Sequence, residues 1–134
     1  MRYTLEVVPV PVSDVERAKA FYADQVGFIL DFDIDGSVVQ LTPPGSGCSI
    51  QIGRGLTRMA PGSLEGLQLV VTDLDAAHQE LTGRGVELSE IEVYARDGLR
   101  PRLPKDDLNN VGFCTFADPD GNRWTIQQIS EREL

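Results

Sequence analysis

Long apolar runs, cysteines and an excess of basic charge are all scarce in this chain. Its longest apolar stretches are strand-sized, such as residues 5–12, far short of the ~20 residues a membrane helix requires. The N-terminus has no basic region followed by an apolar block, so a soluble, unexported, cytoplasmic protein with no membrane partner is expected. Two cysteines, Cys48 and Cys114, allow at most one disulfide, and both sit in strand-like runs where buried reduced thiols are common. Only 12 basic residues face 21 acidic ones, for a net charge of -9. That balance opposes nucleic acid, whose phosphates reward clustered Lys and Arg, and reads as surface solubility.

What remains fits one ordinary globular domain: 134 residues, 41% hydrophobic and 25% charged, can bury a core without staples. Self-similarity organises it. Val12-Ser13-Asp14-Val15-Glu16-Arg17-Ala18 is echoed by Val71-Thr72-Asp73-Leu74-Asp75-Ala76-Ala77, at an offset of 59. Each copy predicts a helix start, with Ser13 and Thr72 as N-caps and Glu16 and Asp75 closing a capping box. Apolar residues then fall at helical spacing: Val15, Ala18, Phe21 and Tyr22, and again Leu74, Ala77 and Leu81. Gly27, and Gly83 with Gly85, supply the stops. Before each cap a strand alternates with period two. Val8, Val10 and Val12 in one copy, and Leu67, Leu69 and Val71 in the other, face the helix.

A second echo, Pro44 to Gln51 against Asp120 to Gln127, has an offset of 76. Asp118-Pro119-Asp120-Gly121-Asn122 predicts a tight hairpin turn. The offsets differ by 17 residues, so the second copy carries that much extra chain, expected as a loop over residues 92–110 with Arg96, Arg100, Arg102 and Lys105. Such a loop reads either as a lid or as a mobile surface segment. The two modules, about residues 1–53 and 64–134, are taken as a single domain joined by a connector at 54–63.

Residues 10–22 (Val-Pro-Val-Ser-Asp-Val-Glu-Arg-Ala-Lys-Ala-Phe-Tyr) and 116–127 (Phe-Ala-Asp-Pro-Asp-Gly-Asn-Arg-Trp-Thr-Ile-Gln) resemble the first-helix and last-hairpin signatures of the vicinal-oxygen-chelate superfamily of glyoxalases, bleomycin resistance proteins and extradiol dioxygenases. The resemblance implies an α+β fold of two βαβββ repeats forming a curved mixed sheet around a cleft, and a homodimer. In metal-dependent relatives, ligands come from the first and last strands of each repeat, typically as His and Glu. The matching positions here are Val7, Ser49, Gly66 and Thr125. That set is no competent chelate, because divalent metals need imidazole or carboxylate donors converging on one ion. The one histidine, His78, falls in the second helix and reads as a solvated residue. No metal and no cofactor are therefore expected, and neither is glyoxalase or dioxygenase chemistry.

Strand parity predicts a neutral cleft floor of Val7, Pro9, Ser49, Gln51, Gly66, Gln68, Val70, Thr125 and Gln127, with Tyr94, Phe113 and Phe116 as an aromatic wall and Arg100 on the loop. Such a surface suits a small organic molecule, a drug or a metabolite. The leading expectation is a metal-independent binding protein. The alternative is a metal-independent isomerase, cyclase or lyase using Asp97, Asp107, Tyr94 and Arg100. A metal-dependent lyase or dioxygenase ranks last.

Overall fold

The computed structural model describes residues 1–132 and consists of two compact units. The first comprises Met1–Leu64 and the turn Asp118–Asn122; the second comprises Glu65–Ala117 and the stretch from Arg123 onward. No helix among the described residues is long and apolar enough to cross a membrane.

The first unit is a βαβββ module: β1 (Val7–Pro9), α1 (Val15–Ala20, continuing as a π-helical segment over Phe21–Val26), β2 (Ile29–Ile34), β3 (Val38–Thr42) and β4 (Ser49–Ile52). Its sheet runs β1-β4-β3-β2, with β1 parallel to β4 and the other pairs antiparallel. The second unit repeats the plan with β5 (Glu65–Val71), α2 (Leu74–Gly83), β6 (Glu92–Ala95), β7 (Gly98–Pro101), β8 (Gly112–Ala117) and β9 (Arg123–Gln128). Its order is β5-β9-β8-β6-β7, so β7 is an added edge strand. The expected α+β architecture of duplicated modules is present, as two mixed sheets of four and five strands.

Both helices start one residue later than the sequence suggested. Asp14 and Asp73 are the caps, accepting from the N–H groups of Arg17 and Ala76. An aspartate caps as well as Ser or Thr, which frees Ser13 to donate both its N–H and its hydroxyl to Asp120. Asp75, assigned to a capping box, instead pairs with Arg102. The loop expected over residues 92–110 is a hairpin through its first half. Asp97-Gly98 is the cause: Gly98 takes φ 109 directly after the turn, a conformation glycine adopts without strain.

Alternate strand residues pack beneath each helix. Val39, Leu41, Ile50 and Ile52 are buried in the first unit, and Val93, Cys114, Phe116, Trp124 and Ile126 in the second. Phe116, offered above as cleft wall, belongs to this layer and stacks on Trp124 with ring centroids 5.9 Å apart. Even-numbered β8 residues share the side of Ile126, so the wall reading fails on parity. His78 is half-buried on α2, its Nε2 lying 3.0 Å from the Ser89 carbonyl oxygen, and so is not simply solvated.

The turn Asp118–Asn122 is a polar hub. Oδ1 of the buried Asp118 accepts from the N–H groups of Asp120, Gly121 and Asn122, while Oδ2 accepts from the Tyr22 hydroxyl at 2.7 Å and the Asn122 amide at 2.7 Å. Asn122 also donates to the Pro11 carbonyl and accepts from the Leu64 N–H. Tyr22, fully buried, stacks on Phe28. Removing the carboxylate strands several buried donors at once, so Asp118→Ala should cost about 3 kcal/mol or more of unfolding free energy in urea. A loss under 1 kcal/mol would contradict the hub.

Candidate functional site

In each sheet the side chains turned away from the helix form a second, less buried face. On the first, Val7 and Pro9 of β1 lie in register with Ser49 and Gln51 of β4. The polar groups there are chained sideways. Ser49 Oγ lies 2.6 Å from Thr42 Oγ1, and the Gln51 amide donates to Gln40 at 3.0 Å. Thr42 and Gln40 both donate to Oδ2 of Asp31, at the irregularity in β2. Ile29, Phe32 and Ile34 stand exposed on the same strand.

On the second face, Gln68 lies opposite Thr125 and Val70 opposite Gln127. Gly66 falls in a bulge between Glu65 and Leu67 at φ 96, and Gln68, two residues on, lies beside Thr125 in the place the repeat assigned to Gly66. Parity survives the shift. The Gln68 amide donates to Gln127, whose own amide donates to the Asn110 carbonyl at 2.8 Å. Beyond these strands, Phe113 pairs with Gln127 and with Glu92, and Tyr94 pairs with Leu99. A recess of about 190 Å³ opens here, lined by Glu92, Tyr94, Leu99, Phe113, Cys114, Thr115 and Thr125. The Cys114 thiol is held protonated by burial, its pKa pushed up to about 11, so it offers no nucleophile near neutrality.

The basic residues of segment 92–110 take another course. Arg100 lies in register with buried Val93, on the other face of the hairpin from Tyr94, and grips Asp106 through two hydrogen bonds of 2.8 and 2.9 Å. Arg102 grips Asp75 on α2. These arginines line or flank a polar pocket of about 340 Å³ with Asp73, Asp75, Asp106 and Asp107. The candidate turnover groups are thus dispersed: Tyr94 lines the apolar recess, Asp107 the polar pocket, and Arg100 is bound to Asp106. The segment is tied down rather than loose.

The four positions matching metal ligands in relatives, Val7, Ser49, Gly66 and Thr125, carry two side chains without donors and two neutral hydroxyls, a set that does not fit a divalent ion. The nine positions expected as the floor are neutral, and carboxylates stand on other strands of the same faces. Asp31 and Glu92 each place a carboxylate on a face turned away from the helix. Asp31 lies on β2 and Glu92 on β6, outside the first and last strands of each module from which the floor residues are read. The alternation of Glu92 with Val93 and Tyr94, beside the Asp97-Gly98 turn, was the available signal for the second.

A family model for the Glyoxalase/Bleomycin resistance protein/Dioxygenase superfamily matches residues 4–126. Among solved structures, TnmS3, an antibiotic binding protein from Streptomyces sp. CB03234, is 34% identical, with a TM-score of 0.74 over 96% of this chain and 98% of its own. A glyoxalase/bleomycin resistance protein from the same Streptomyces is also 34% identical, with a TM-score of 0.71 over 93% and 100%. A superfamily member from Sphaerobacter thermophilus DSM 20745 is 26% identical, with a TM-score of 0.70 over 95% and 98%. No curated protein sequence matches the chain.

The ion pairs give the fold an acid-sensitive edge. Arg100 and the Leu103 N–H hold Asp106 below the usual carboxylate range, Arg102 does the same for Asp75, and Lys19 with the Gly36 N–H for Asp33. Carboxylates with lowered folded pKa values stabilise above the unfolded value and lose that stabilisation as pH falls through the folded one. The melting temperature should therefore hold steady from pH 7 to about 5 and drop below about pH 4. Asp106→Asn should shrink the drop and speed amide exchange at residues 102–107; unchanged exchange would contradict the tie.

Proposed function

This chain belongs to the Glyoxalase/Bleomycin resistance protein/Dioxygenase superfamily, and from that premise we propose that it is a metal-independent protein that binds a small organic molecule, a drug or a metabolite, without turning it over. The observation that carries the reading is the recess in the second unit. Its walls are Tyr94, Phe113 and Leu99, with Thr115 and Thr125 also lining it. Apolar walls with a few fixed polar groups are what a planar organic body requires. At about 190 Å³ the recess takes one or two rings rather than a whole drug-sized molecule.

Two further facts support it. The chelating positions hold no ligand set, so the Lewis-acid chemistry of metal-dependent relatives has no donors to rest on. TnmS3, alike over nearly the full length of both chains, is described as an antibiotic binding protein. The homodimer and the cytoplasmic location expected from the resemblance form part of the same proposal.

A thermal-shift screen of planar aromatic compounds of one or two rings tests it. Ligands at about 100 times Kd should raise the melting temperature by several degrees, since such saturation contributes about 2.7 kcal/mol. Phe113→Ala should weaken the best of them about tenfold, the loss expected for one aromatic wall. Mass spectrometry should recover each compound unchanged. A screen without a stabilising compound, or an affinity indifferent to Phe113→Ala, would overturn the proposal.

A further inference from the structure

Glu92 is out of keeping with the recess it lines. Its neighbours there are the rings of Tyr94 and Phe113 and the side chain of Leu99. It is half-buried, and among the described residues no hydrogen bond or ion pair engages its carboxylate. Two arginines in the neighbouring segment are committed elsewhere, Arg100 to Asp106 and Arg102 to Asp75. A carboxylate without a partner beside aromatic rings attracts a cation.

We infer that the recess selects an organic cation: a planar aromatic molecule bearing an ammonium group, whose charge is taken by Glu92 and by the faces of Tyr94 and Phe113. This rests on the aromatic-binding reading above and adds the charge of the ligand. The rings and the carboxylate act together, because an aromatic face attracts a cation through its quadrupole. A charge-assisted hydrogen bond from the ammonium to Glu92 then fixes the amine at the β6 side. The hydroxyls of Thr115 and Thr125 remain for polar groups of the ligand body.

Two probes of nearly equal shape separate charge from aromaticity: 1-naphthylmethylammonium and neutral 1-naphthalenemethanol, titrated by calorimetry at 150 mM salt. The wild-type protein should bind the cation about tenfold tighter or better, and Glu92→Gln should remove that preference while leaving the alcohol within about twofold. Glu92→Asp should keep part of it. Glu87→Gln, which deletes an exposed carboxylate in the same unit, should change neither affinity. If the wild-type protein binds both probes equally, or Glu92→Gln keeps the preference, the cation inference falls and the aromatic recess stands. If Glu87→Gln lowers cation binding as much as Glu92→Gln, overall charge is responsible and the inference also falls. If neither probe binds at all, both readings fall together.

Discussion

The two-residue period of the β-strand governs this protein. Successive side chains leave a strand on opposite sides, and in each module one helix follows the first strand and packs against the sheet. The side beneath the helix must be apolar, because its residues are buried: Leu41 and Ile52 in one unit, Trp124 and Ile126 in the other. The alternate residues are released from that demand and carry the polar and aromatic groups. Ser49 and Gln51, and Thr125 and Gln127, are the same two positions written twice on the last strand of each module. Every functional statement about this chain depends on that separation.

The duplication then diverges where it meets a ligand-sized space. In the first unit, the face turned from the helix is closed by its own hydrogen bonds, running from Ser49 and Gln51 through Thr42 and Gln40 to Asp31. In the second, the equivalent strand carries Phe113 in place of an amide, and the hairpin of β6 with the added strand β7 brings Tyr94, Leu99 and Glu92 beside it. The same backbone plan thus yields a self-satisfied polar ladder in one unit and an apolar recess with one unpaired carboxylate in the other. The net charge of -9 carries no ligand information by itself.

Much of this was legible in the chain. The capped amphipathic helices, the turn at Asp118–Asn122 and the parity of the strands all follow from local patterns, because caps, turns and pleats are short-range. The differences are long-range or register-dependent. Ser13 and Asp14 are both competent caps, and the competition was decided by Asp120, more than a hundred residues away. Gln68 rather than Gly66 lies beside Thr125, and no periodicity within β5 announces the register of its partner strand. The basic charge of segment 92–110 obscures its alternation, which marks both the hairpin and Glu92. Arg100 went to the opposite side from Tyr94 once the hairpin set their parity.

The most direct test follows backbone amide and methyl resonances during titration with an aromatic compound that raises the melting temperature. The account predicts shifts concentrated at β6, β8 and β9, at Glu92, Tyr94, Phe113, Thr115 and Thr125, with α2 and the Arg102–Asp75 pair undisturbed. Shifts centred on Asp73, Asp75, Asp106 and Asp107 instead would contradict it, because the ligand would then occupy the charged pocket and leave the aromatic one empty.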